Sequence, residues 1–410
     1  MARAEAPGGR RAWFASELDP GSLAHAGRTY ARRVRAVTIA LVLLVLACSS
    51  AAGGDGGIRI AFYRGADLIE LNLATGLQKV ELAHAPIEEL AWSGDGALLS
   101  DGGRIVGGPA LPTNSLAWAP SGETAAYRTK SGAIALWSSG SDSHTILPAS
   151  WGADSFAWGA DGELAVGRGP RGHHDVWLWN AGKLTRVAVA RDQYSRAIVA
   201  GVDGAGRALW WDDPYSSASI AADGIALYAN GERLADTLVF PDYVSVCGRH
   251  LALAAGPDRY TTHGKRVLFD GRDVSSDPTR SWVSPSCNAS GFLVAAAGRN
   301  WVERRVGRGE LRSIWELAPR KVRLSYPPAG WTDESPRVLP DGSILFARTR
   351  ETSVKVPNGW RTTDQAHLEL IAYGHTTWVG STSWSVEGSA GPSIDYYGHY
   401  AWPWLIATTQ

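Results

Sequence analysis

The chain carries no net charge. Lys+Arg and Asp+Glu balance at 40 each over 410 residues, which removes the whole-chain signal expected of a nucleic-acid or membrane-surface binder. Its body is slightly acidic: residues 1–47 hold seven Arg against three acids, which leaves 33 basic and 37 acidic residues downstream. Nucleic acid is therefore not expected as a partner. Long amphipathic helical patterns are missing too. So are a Gly-x-Ser-x-Gly nucleophile elbow and a phosphate-cradling glycine loop before a helix. Cysteine is limited to three residues, Cys48, Cys247 and Cys287. What is abundant is Trp (19), Gly (47) and β-branched residues. That is an all-β composition with many turns.

The one apolar run, 36–47, is short. Twelve residues of helix span about 18 Å, against a hydrocarbon core of about 30 Å. Arg32, Arg33 and Arg35 precede it and a small residue, Ala47, stands before Cys48. This is the layout of an export signal. Val45-Leu46-Ala47-Cys48 resembles a bacterial lipobox, which implies acylation of Cys48 as the mature N-terminus; Leu46 departs from it, where a smaller residue is commoner. The other reading keeps 36–47 as an uncleaved anchor. Both put the body on the extracytoplasmic side of a bacterial membrane. The expected organisation is a preface and basic region at 1–35, the signal or anchor at 36–47, a flexible Gly/Ser tether at 48–57, and one domain at 58–410.

That domain repeats one pattern. An apolar strand ending in Trp runs into a tight turn and then a second apolar strand. Leu90-Ala91-Trp92-Ser93-Gly94-Asp95-Gly96 is one copy, and Leu116-Ala117-Trp118-Ala119-Pro120-Ser121-Gly122 another. Phe156-Ala157-Trp158-Gly159-Ala160-Asp161-Gly162 and Val338-Leu339-Pro340-Asp341-Gly342 continue the series. Units start near 89, 115, 155, 197, 243, 281 and 335, about 38–55 residues apart in most cases, the period of four-stranded propeller blades. No small sheet of this kind can bury both faces alone, and a closed ring solves the problem. The expected fold is all-β: a seven- or eight-bladed β-propeller of four-stranded antiparallel blades. The count depends on the short unit from 89, which lacks room for an outer strand. The ring is expected to close through N- and C-terminal strands, with 393–400 and 404–408 completing the blade begun by 58–84. The Trp-Ser-Pro-Asp-Gly pattern, with Asp175-Val176-Trp177 as a third strand, resembles the WD40-like (PD40) repeat of TolB-related exported proteins. The resemblance implies a propeller that serves as a scaffold. The units from 197, 243 and 281 lack the Trp, and no second TolB-type domain is evident.

Sites are harder to read. Trp210, Trp211, Asp212, Asp213 and Tyr215 place paired carboxylates beside aromatics, a set that could hold a sugar or cation or serve as acid and base; a proline-directed loop with solvated acids is the preferred explanation. Gly172-His173-His174-Asp175 points its two imidazoles to opposite faces of a strand and does not make a metal site. Trp301, Trp331, Trp360, Trp378, Trp384, Trp402 and Trp404 fall in or near late loops, either as an apolar surface at one mouth of the ring or as core. Cys247 and Cys287 end the first strands of consecutive units and are candidates for a disulfide, provided adjacent blades approach closely enough. No catalytic residue, metal or cofactor is assigned. The expected function is a membrane-tethered protein-binding module with a partner in the cell envelope. The alternative is a propeller enzyme or a carbohydrate- or small-ligand-binding protein working through the central channel.

Overall fold

The repeat is held together by its turn. In the computed structural model Gly96 and Gly342 have φ of 71° and 83°, the left-handed region that glycine enters without strain. Their N–H groups donate back to Ser93 O and Leu339 O at 2.8 and 2.9 Å. The acid just before each glycine fixes the turn. Asp95 Oδ1 accepts from Ser93 Oγ and the Ala97 N–H at 2.7 and 2.9 Å, and Asp341 Oδ1 accepts from the Ser343 N–H and Oγ at 2.9 and 2.6 Å. In two units without the Trp, the polar residue has moved to the first place of the turn. Asp203 Oδ1 accepts from the Ala205 and Arg207 N–H groups, and Asn288 Oδ1 from those of Ser290 and Phe292. The turn outlasts the Trp because side-chain-to-backbone bonds of this kind are local.

The structure describes residues 57–409 apart from 86–87, 114–115, 170–173, 191–194, 215–223, 258–262, 301–311, 358 and 389–404. Ile58–Leu73 and Leu77–Gln410 form one unit, an eight-bladed propeller of antiparallel sheets. Blade 1 joins Ile406–Thr408 to Arg59–Arg64, Asp67–Asn72 and Gln78–Leu82. Blade 2 has three strands, Leu90–Trp92, Leu99–Asp101 and Arg104–Ile105. The first strands of blades 3 to 8 are Leu116–Trp118, Ala153–Trp158, Ser195–Val202, Val244–Cys247, Arg280–Cys287 and Thr332–Val338, each followed by three more. The short unit is thus a blade of its own without an outer strand, and the count is eight. The ring closes, as expected, by pairing of N- and C-terminal strands. Among the described residues the C-terminus brings one strand to blade 1 and the N-terminus three, since Ile60–Phe62 pairs with Ile406–Thr408 on one side and with Ile69–Leu71 on the other. The strand expected at 393–400 lies outside the described residues.

The core lies between blades. Ala126, Ile134 and Leu136 of blade 3 pack on Leu164 and Val166 of blade 4. Val176 of blade 4 meets Val199, Trp210 and Tyr228 of blade 5. Leu345 and Leu368 of blade 8, Ile60 and Phe62 of blade 1, and Leu90 and Leu99 of blade 2 share one cluster, so the apolar contact runs unbroken through the seam. The repeat Trp bridges blades as well. Trp118 Nε1 donates to Ser100 Oγ of blade 2 at 3.0 Å, and Trp158 Nε1 to Ala117 O of blade 3 at 2.9 Å. An indole does this because it pairs a large apolar face with one donor. The turns also stack: a Cβ on Gly94 would sit 2.3 Å from Pro120 C of the next blade.

The two ends of the ring are unequal. At one end, the turn end, first strands pass to second strands within tight turns such as 93–98 and 339–343. The other, the connection end, receives the longer second-to-third-strand connections 215–224, 256–265 and 300–312. Blade 8 also reaches out here. Its first strand ends opposite Thr349, but the second continues to Val356, the third starts at Gly359 and the fourth runs to Gly388. The surplus is a three-stranded ribbon of about 20 Å at ~3.3 Å per residue. Thr352, Val354, Lys355 and Arg361 on it are exposed.

Candidate functional site

The inner strands of blades 7 and 8 share an irregularity. Ser284 and Ser335 have φ of 51° and 48°, and each is followed by proline. A non-glycine residue in this region is strained. Proline then removes the next N–H from the ladder, and pairing skips between Val283 and Ser286 and between Glu334 and Arg337. These bulges gather polar side chains on the strands nearest the ring axis. Ser284 Oγ donates to Asp242 Oδ2, from the inner strand of blade 7 to the short 3-10 turn Pro241–Tyr243 that leads into blade 6. Arg312, at the start of the third strand of blade 7, donates from Nη1 to Glu334 Oε1 of blade 8 at 2.6 Å. Its backbone N–H donates to Thr332 Oγ1 at 2.9 Å. Arg337 follows on the same strand as Glu334.

Desolvation dominates the electrostatics of this cluster. Asp242 and Arg337 keep part of their surface accessible, yet desolvation is the dominant influence on both. It pushes the Asp242 carboxyl above the usual range, with Glu334 adding to the rise and the Ser284 hydroxyl and Arg337 opposing it. It lowers the Arg337 guanidinium to about 10, with Asp242 opposing the fall. Tyr243 is buried, with its ring 5.3 Å from that of Phe240. Its hydroxyl has no hydrogen-bond partner among the described residues, and burial, then Asp242, raise its pKa. A second network beside it is closed on itself. The Arg348 guanidinium grips Asp333 with two bonds at 2.7 and 3.0 Å, and Ser325 Oγ donates to the same carboxylate at 2.5 Å. That arrangement joins blades 7 and 8 and needs nothing further.

The residues singled out in the sequence fall elsewhere. Trp210 and Trp211 sit in the second strand of blade 5, exposed by 1% and 4%. Trp210 stacks on Tyr228 and donates to Asn230 O at 2.6 Å, while Trp211 donates to Thr237 Oγ1 at 2.6 Å. Asp212 and Asp213 point to opposite faces, as neighbours in a strand must. Asp213 is buried against Arg196 Nε at 2.6 Å; burial raises its carboxyl and Arg196 pulls it back. The aromatics are occupied by packing, and the carboxylates do not converge. Tyr215 and Cys48 lie outside the described residues, as does the 36–47 segment; no helix among the described residues is long and apolar enough to cross a membrane. Asp175 is gripped by Arg168 at 2.5 and 2.7 Å. Of the late tryptophans, Trp331 packs on His367, and Trp378 is exposed on the outer strand of blade 8. Cys247 and Cys287 are bonded, with their Cα atoms 5.7 Å apart. Inner strands converge toward the ring axis, which brings these equivalent points within reach.

The polar cluster was not found in the sequence because its members lie scattered between 242 and 337. One signal was available. The dipeptide Ser-Pro occurs at the same distance ahead of the turn glycines Gly291 and Gly342, which marks a shared bulge in two inner strands.

No protein-family model matches the chain, and no curated protein matches it. Among solved structures it is similar to a eukaryotic initiation factor, at 12% identity over 78% of this chain and 87% of that one, with a TM-score of 0.44. It is also similar to apo AztD from Citrobacter koseri, at 12% identity over 86% and 97%, TM-score 0.31. A gluconolactonase from Xanthomonas campestris matches at 14% identity over 57% and 81%, TM-score 0.30. At this level of likeness none of them carries an argument about activity.

Proposed function

We propose that this chain is an exported propeller, tethered to the extracytoplasmic side of a bacterial membrane through a lipid on Cys48 or through 36–47, which binds an envelope protein at the connection end of its ring. The observation that carries this reading is the blade 8 ribbon. Residues beyond Thr349 have left the inner strand behind, and exposed side chains such as Thr352, Val354 and Lys355 bury little. Ordering backbone costs about 1–2 kcal/mol per residue, and the ring does not need these residues to close. A ribbon with open edges offers backbone groups and side chains to an extended partner segment. The second-to-third-strand connections of blades 5, 6 and 7 start and finish at the same end of the ring.

The test is a shortened ribbon. Arg350 and Gln365 are paired across the second and third strands, so an Asn-Gly turn can replace 351–364. The shortened chain is expected to keep the melting behaviour of the ring and to lose the envelope protein that the intact chain captures in native membranes. Capture of the same protein in the same yield would sink the reading.

A further inference from the structure

We propose that this protein forms a two-fold dimer in which the outer strand of blade 8 pairs edge to edge with the same strand of a second copy. That strand, His375–Gly388, is 14 residues long. The outer strands of blades 1 and 3 to 7 have between two and seven residues. Five of those six carry charged residues, such as Lys79 and Glu81 in blade 1 or Glu232 and Arg233 in blade 5. Shortness and charge keep a sheet edge from pairing with other chains. Blade 8 uses neither. From Thr376 to Ser383 its outer strand has no charged residue and no proline. One bulge, at Val379, interrupts the pairing with the third strand, and from Gly380 to Gly388 the register is regular. Among the described residues no strand covers the outer edge.

A second copy is the occupant this edge fits. The partner strand must be as long and as free of charge, and the chain itself supplies one. Antiparallel self-pairing is isologous, so it satisfies both edges at once and closes as a dimer. Ser381, Thr382 and Ser383 stand at its centre, where serine and threonine oppose each other and pair well across strands. The length of the strand supports the same assignment. Its midpoint falls between Ser381 and Thr382, and Thr382 is level with Ala366, Thr349 and Thr332, the start of the blade's first strand. On one side of that level the strand belongs to the ring, on the other to the ribbon. A two-fold axis at the midpoint therefore lays each ribbon along the outer edge of the other ring, seven residues of the 14 against seven. Trp378 and Tyr373, exposed by 57% and 71%, flank this edge. Tyr373 has φ of 51° in a turn where blades 4, 5 and 6 have Ala181, Asn230 and Asp270. A bulky residue is strained there, and exposed aromatic rings suit the centre of an interface. The free edge of the second strand beyond Thr349 stays open, so the dimer goes beyond the envelope partner and does not depend on it.

The experiment is sedimentation equilibrium of the full-length chain in density-matched detergent, over about 1–100 µM. The envelope protein is left out, so loss of the dimer and loss of that partner are read separately. A monomer–dimer equilibrium is expected in this range. Trp378→Lys/Ser383→Lys puts like charges at two exposed positions of the edge. It should keep the melting temperature of the wild type and weaken dimerisation by about tenfold or more. Trp378→Glu/Ser383→Glu should do the same. An equimolar mixture of the two variants should restore the dimer, since opposite charges then meet across the seam. The proposal is overturned if the wild type stays monomeric up to about 100 µM. It is overturned equally if the lysine variant dimerises as tightly as the wild type, or if the mixture of folded lysine and glutamate variants stays monomeric.

Discussion

Cys247 and Cys287 stand where Trp118 and Trp158 stand in blades 3 and 4. Each is the last residue of its blade's first strand, and each ties that strand to the blade beside it. The tryptophans do so by donating a hydrogen bond to the preceding blade, and the cysteines by bonding to each other. The disulfide closes a loop with a sequence separation of 40, for which chain entropy gives about 4 kcal/mol at most. Melting with and without dithiothreitol, and of a Cys247→Ser/Cys287→Ser double variant, should show a loss of about 2–4 kcal/mol. An unchanged transition would mean that packing alone secures blades 6 and 7.

Turn stacking supplies a sharper contrast. A Cβ on Gly204 would lie 2.2 Å from Gly248 O and 2.5 Å from Arg249 Cα, backbone atoms that cannot step aside. Gly204→Ala is expected to destabilise the protein by about 2–3 kcal/mol in urea. Gly201, three residues earlier in the same chain segment, has nothing within 4 Å of its added Cβ. Gly201→Ala should be neutral or stabilise by about 0.5–1 kcal/mol. Equal effects at the two positions would refute the stacking account.

Asp242 gives a pH dependence of defined sign. Its carboxyl is raised in the folded chain, chiefly by desolvation, so the native state holds that proton more tightly than the unfolded state. The resulting stabilisation is complete below the unfolded value and is lost as pH rises through the folded one. At neutral pH the ionised group therefore weighs against the fold. Asp242→Asn, which still accepts from Ser284, should melt about 1–3 °C higher than the wild type near pH 7, with the gap shrinking in acid. A lower melting temperature at neutral pH would contradict this.

Trp210 should behave as core. Trp210→Ala is expected to cost about 3–5 kcal/mol by chemical denaturation, and to lower partner capture only as far as the folded fraction falls. A stable, folded Trp210→Ala chain that no longer captures the partner would return this ring to the binding surface.

The blades were legible because their signals are local. Trp158 before a tight turn, Gly162 within it and the apolar run Leu164–Val166 after it are adjacent in the chain, and the first strands begin at 90, 116, 153, 195, 244, 280 and 332, within a few residues of the expected starts. The blade count was not legible, since blade 2 has only an isolated bridge, Arg104 with Ala110, where the other blades have an outer strand. Asp212 and Asp213 looked like a loop because proline follows at 214, yet the strand runs through to Pro214: pairing of Ala197 with Asp212 and Arg196 with Asp213 carries it on. The polar cluster draws on segments of three different blades, and no window of sequence contains that.

The most direct test places a photo-cross-linker at Lys355, on the ribbon, and in a second chain at Asp161, in a turn at the opposite end of the ring. Both residues are exposed. Irradiated in native membranes, the Lys355 chain is expected to give one discrete protein adduct and the Asp161 chain none. The same adduct from both positions, or an adduct from Asp161 alone, would contradict the claim that this propeller works through its connection end.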